Sequence, residues 1–186
     1  IEPTPTQVSP RSQKVWPVKL PGAALVAGST PGGGTTTLRF RGRRWLSAEP
    51  SLGGTIYNCA GGVTPWGTWL SCEETVIDLT PRGGRKHGYV FEVRADPAAT
   101  TGRPIVDMGR MLHEAVAVDP VTNFAYLTED NPRHSGLYRY LPKDARGGAG
   151  SYEAGGRLQA GVMGGMLPLL LALMPMLYAS FFASYR

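Results

Sequence analysis

The sequence predicts an all-β fold of short antiparallel strands, and three observations carry that prediction. The 186 residues include 25 glycines and 16 prolines, an excess that favours turn-rich β structure over helices. No segment before residue 158 shows the 3.6-residue apolar period of a long helix. Short runs alternating polar with aromatic or β-branched residues recur instead, each bounded by turn residues.

Taken in order, residues 1–34 are rich in Pro, Thr, Ser and Gly and read as an extended segment with at most one short apolar element, at 23–27. The ordered part is expected to begin near Thr35. Residues 35–40 predict a half-buried strand, because Leu38 and Phe40 alternate with Arg39 and Arg41. Continued to Leu46, this run sets four arginines beside aromatic residues, a composition that also suits nucleic acid. The alternation explains the arginines more simply as a solvated face and turn, so no nucleic-acid partner is expected.

Residues 55–74, TIYNCAGGVTPWGTWLSCEE, gather a thiol, a carboxylate pair and two tryptophans into what reads as a glycine- and proline-rich turn. Cys59 and Glu74 there are a soft and a hard metal ligand. A Cys59–Cys72 disulfide is the other reading of the two cysteines in an oxidising compartment, and spacing leaves both open.

Further strands are expected at 69–72, 88–93, 115–118, 124–128 and 137–141. AVAVDPVTNFAYLTED reads as strand, turn and strand, with Asp119 able to bond its own backbone and Pro120 presetting φ. GLYRYLP adds a strand after a polar bend at 131–135, and HGYVFEV has the same aromatic alternation. Such spacing suits a sandwich or the blades of a propeller, which periodicity alone does not separate.

A hairpin over this stretch is expected to bring His113-Glu114 and Glu129-Asp130 to the same edge of a sheet, where oxygen ligands suit Ca²⁺, Mg²⁺ or Fe³⁺. In an extended chain His113 faces away from Glu114, which gives it an orienting rather than a ligating role. His87 and His134 sit in polar turns beside Lys86 and Arg133 and are expected at the surface. Neither a phosphate-cradling glycine loop nor a nucleophilic serine elbow occurs in the sequence.

The net charge is +5. From residue 158 to 185 the chain has no charged side chain, a length that suffices to cross a bilayer. Pro168, Pro175 and three glycines interrupt it as a straight helix. A membrane anchor through residues 160–185, a tail that packs on nothing, and a read-through or frame-shifted end are the three readings. The first residues lack an initiator methionine and the pattern of a signal peptide, so the front of the chain is expected to be trimmed.

The motifs NCAGGVTPWGTWLSCEE, HGYVFEV, HEAVAVDP and YLTEDN, in this order, resemble the PhoX-type alkaline phosphatases over about residues 33–159. The resemblance implies a β-propeller whose centre holds Fe³⁺ and Ca²⁺ and hydrolyses phosphate monoesters, in a periplasmic or secreted parent protein. It implies that Cys59 bridges iron as a thiolate, that Glu74 is an iron ligand, and that Glu114 and Asp130 bind metal on the calcium side. Cys72 is then a small buried residue.

The chain also departs from the family. An Asn-His-Glu motif that precedes this region in relatives has no counterpart in residues 1–32, and after Gln159 the polar propeller sequence gives way to the apolar tail. The expected organisation is an extended segment at 1–34, a partial propeller of several antiparallel blades at 35–159, and a hydrophobic tail at 160–186. The expected function is a fragment of a metal-dependent phosphatase, inactive alone. A non-catalytic calcium-binding β module and a membrane-anchored interaction domain are the alternatives.

Overall fold

In the computed structural model, residues 32–161 and the two-residue strand β1 (Ala24–Leu25) are described. The rest of the expected 1–34 segment, and the apolar tail beyond residue 161 with its membrane reading, lie outside the described residues.

A long hairpin comes first. Strand β2 (Gly33–Arg41) pairs antiparallel with β3 (Arg44–Thr55), and β1 adds to β3 in parallel, giving the order β1-β3-β2. Gly42 and Arg43 make the turn with φ of 57° and 62°, the left-handed pair whose twist matches that of the strands it joins. The base of the hairpin is anchored by Leu52, which packs with Phe91 and Val93. Its tip departs from the half-buried strand expected there. Leu38 and Phe40 are 56% and 58% exposed, because no described residue forms a second layer over them.

The second sheet has seven strands in the order β10-β9-β8-β7-β4-β5-β6. They are β4 (Asn58–Val63), β5 (Trp69–Glu73), β6 (Val90–Val93), β7 (His113–Val118), β8 (Ala125–Glu129), β9 (Leu137–Pro142) and β10 (Gly156–Ala160). Two antiparallel runs, β4-β5-β6 and β7-β8-β9-β10, meet through one parallel register pair, Gly61 with Ala115. The all-β expectation holds, whereas among the described residues the strands form a mixed sheet and no closed ring of blades.

Every strand expected from alternation is present within a few residues, but β3, β4 and β10 were not anticipated. The case of β4 is instructive, since NCAGGV reads as a turn. A Cβ on Gly62 would lie 1.8 Å from the Val116 carbonyl oxygen, and one on Gly61 2.0 Å from that of Leu70. The glycines therefore mark close approach of three backbones, with a register shift between Cys59 and Gly62 and a φ of 62° at Gly61.

The main core lies over the junction of the two runs, where Leu70, Cys72, Val116 and Leu127 pack with Tyr140 and Tyr152. Tyr140 donates to the Tyr152 carbonyl at 3.1 Å, so one buried hydroxyl is satisfied within the core. The β7–β8 turn forms as expected: Asp119 accepts from the Val121 N–H at 2.9 Å and the Thr122 hydroxyl at 2.6 Å. Those bonds hold the Asp119 carboxyl below the usual carboxylate range.

Candidate functional site

The site is built where the start of β4, the end of β5, the entry to β7 and the exit of β8 meet. Leu112 stitches these segments together. It bridges to Glu74 in antiparallel fashion, and its carbonyl accepts from the Asp130 N–H at 3.0 Å. The Glu74 N–H in turn donates to the Tyr57 carbonyl at 2.9 Å. Register pairing sets His113 opposite Glu129, so the hairpin does bring the two acidic motifs to one edge.

Three of the four predicted residues, Cys59, Glu74 and Glu114, lie near one another without forming a metal-holding group among the described residues. Cys59 is half-buried beside the half-buried Glu74, and Glu114 is exposed at the start of β7. Burial pushes the Cys59 thiol up; the Glu74 and Glu114 carboxylates add to this, against one lowering contact from the Ala60 backbone. Asp130 reaches the same edge through its backbone and is exposed there, but its carboxylate does not act on the thiol.

Both cysteines are free, although Cys59 and Cys72 are register partners on β4 and β5. Cys72 is fully buried in the core, and burial followed by the neighbouring Cys59 raises its thiol to about 12. It is the small buried residue that the resemblance implies.

The donor types, one thiol and several carboxylates, suit a mixed soft and hard metal centre. The geometry is less complete, since among the described residues no three His, Cys, Asp or Glu side chains approach closely enough to hold an ion.

Behind Glu74, on the opposite face of β5, lies a group that sequence reasoning missed. Glu73 is fully buried. It accepts from His87 Nδ1 at 2.7 Å, from the N–H groups of Gly88 at 2.8 Å and Tyr89 at 3.1 Å, and from that of Ile56 at 3.2 Å. His87 is thus not the surface residue expected of its polar turn. It is fully buried because its segment folds back over β5, with its N–H bonded to the Ile77 carbonyl. Strand alternation in Cys72-Glu73-Glu74 was the available signal, since neighbouring side chains point to opposite faces.

His113 is also fully buried, and Glu114 beside it is exposed, as the extended-chain reading required. Its Nε2 donates to the Gly109 carbonyl at 3.2 Å. Burial pulls its pKa below the usual value, with the Gly109 carbonyl, Glu129 and Glu73 opposing. His87 Nε2 and His113 Nδ1 have no hydrogen-bond partner among the described residues. His134 is exposed, as expected.

The tryptophan of the PWG turn has a structural role. Trp66 donates from Nε1 to Glu92 at 2.8 Å, and Glu92 also accepts from the Thr68 hydroxyl and the Gly150 N–H, each at 2.7 Å. This buried carboxyl ties the 64–68 turn to the loop before β10.

The described residues form an all-β protein in which Cys59 and acidic residues from separate segments lie at one end of the central strands. Among the described residues there is no α-helix, so neither a strand-to-helix phosphate loop nor a serine elbow is built here. The family model for alkaline phosphatase PhoX matches residues 24–167, and the chain belongs to that family. No curated protein and no solved structure matches it.

Proposed function

We propose that this chain carries part of the metal site of a phosphatase that hydrolyses phosphate monoesters, with the two strand runs as neighbouring blades of a propeller. The observation that carries this reading is the nearness of Cys59 to Glu74, at the end of the paired strand, and to Glu114, on β7, within a chain of the PhoX family. What supports the blade assignment is the division of the sheet into two antiparallel runs of three and four strands, joined by only one register pair.

In this reading Cys59 and Glu74 hold Fe³⁺, while Glu114 and Asp130 hold Ca²⁺. The bound cations would supply positive charge to the phosphate oxygens as the ester is cleaved. The chain's own contribution is orientation. Glu73 and its four donors fix the end of β5, and the Leu112 backbone sets the spacing between Glu74 and Asp130.

The test is metal analysis of the full chain after exposure to Fe³⁺ and Ca²⁺ and desalting, alongside Cys59→Ala and Glu74→Gln, with p-nitrophenyl phosphate hydrolysis as a second readout. Iron retained by the parent chain and lost in both variants is the expected result. Equal iron content in parent and Cys59→Ala refutes the assignment. Calcium retention without iron, unaffected by Cys59→Ala, points instead to a non-catalytic calcium module.

A further inference from the structure

The tip of the β2–β3 hairpin combines two features that the phosphatase reading does not use. Leu38, Phe40, Trp45 and Leu46 are 56%, 58%, 69% and 61% exposed. Phe40 and Trp45 are register partners whose rings lie 4.9 Å apart, a packed aromatic pair presented to solvent. Four arginines, Arg39, Arg41, Arg43 and Arg44, are exposed on the same tip. Arg39 is paired with Glu49 at 3.7 Å, and none of the other three has an ion pair among the described residues.

Register shows how these groups are sorted. Leu38 and Phe40 alternate with Arg39 and Arg41, and Phe40 faces Trp45 while Arg41 faces Arg44. The hairpin therefore has an apolar face and a cationic face, with Leu46 at the register shift between Arg39 and Phe40. Like charges directly opposite one another destabilise a strand pair, and Arg43 occupies a left-handed conformation disfavoured for a side chain. The tip keeps arginines at its least comfortable positions, and an anionic partner would relieve the repulsion.

We propose that this hairpin tip docks on an anionic lipid bilayer surface. The apolar face lies in the headgroup layer with the Phe40–Trp45 pair as the inserted element. Arg41, Arg43 and Arg44 extend along that layer to lipid phosphates, as long basic side chains do at interfaces. Segregation of the two faces favours lipid over nucleic acid, whose recognition interleaves basic and aromatic side chains on one binding surface.

The experiment is co-sedimentation of the full chain with vesicles of phosphatidylcholine containing 30% phosphatidylserine, and with pure phosphatidylcholine vesicles, at about 0.1 M salt. The variant Arg41→Gln/Arg43→Gln/Arg44→Gln and the variant Phe40→Ala/Trp45→Ala share the apolar tail of the parent, so the tail's own affinity cancels in the comparison. Each arginine near an anionic surface is worth roughly fivefold in affinity, which predicts about a 100-fold loss for the triple variant. The aromatic variant should lose binding while keeping the parent's circular dichroism. Equal binding to neutral and anionic vesicles, parent-like binding by the triple variant, or no binding of the parent chain overturns the proposal. So does tighter binding to a 30-base single-stranded oligonucleotide than to the anionic vesicles.

Discussion

Glu73 and Glu74 are adjacent in sequence, yet the structure assigns them opposite kinds of work, and substitution separates the two. Glu73→Ala removes the acceptor of four donors. Two of these, on His87 and Gly88, are buried, while those on Tyr89 and Ile56 are half-buried and can recover water. Each buried donor left without a partner costs about 1–3 kcal/mol. Two such donors put the loss expected here at about 2–6 kcal/mol. Glu74→Ala leaves its backbone bond to Tyr57 intact and removes a half-buried carboxylate beside Glu114 and the thiol, so its effect should stay within about 0.5 kcal/mol. Urea denaturation of the full chain, followed by tryptophan fluorescence, reads both. Glu73→Gln keeps an acceptor oxygen but turns an amide donor toward other donors, and should fall between the two. If Glu73→Ala lies within 1 kcal/mol of the parent, or Glu74→Ala costs as much as Glu73→Ala, the face assignment of β5 is wrong.

Gly62→Ala should destabilise by about 3 kcal/mol, since its Cβ would lie 1.8 Å from the Val116 carbonyl oxygen at the β4–β7 junction. Gly42→Ala, with open space but a φ of 57°, should cost only about 1 kcal/mol, and equal losses in urea melts would contradict the close approach. In the metal-free chain Ellman's reagent should modify Cys59 slowly and leave Cys72 untouched until urea unfolds the protein. Rapid modification of both thiols in the native chain would count against the buried position of Cys72. Burial holds the His113 pKa below its usual 6.5, so the unfolded chain takes up a proton before the native chain does. Stability should therefore be fully present above about pH 6.5 and decline as pH falls toward the native-state pKa, and a slope unchanged in His113→Gln would exclude His113 as its source.

The strands at β5, β6, β7, β8 and β9 were legible in the sequence because each carries its own period-two alternation over several residues. The Asp119 turn was legible for the same reason, its bonds joining residues within three positions of one another. Motif content also pointed to the family, whose model matches residues 24–167.

What the sequence concealed depends on segments distant along the chain. Gly61 and Gly62 read as a turn because the reason for them lies in the backbones of Leu70 and Val116. His87 read as a surface residue because its burial follows from Glu73, fourteen positions earlier on another strand. Leu38 and Phe40 alternate as a half-buried strand does, but alternation reports only that two faces differ. Whether the apolar face is covered is decided by what packs over it, and here no described residue does. The same logic holds at the candidate site. Local sequence singled out Cys59, Glu74, Glu114 and Asp130, while the Leu112 backbone bonds decided how the segments of Glu74 and Asp130 lie side by side. Short-range patterns are written in neighbouring residues; burial and convergence are set by long-range backbone pairing, which no local window contains.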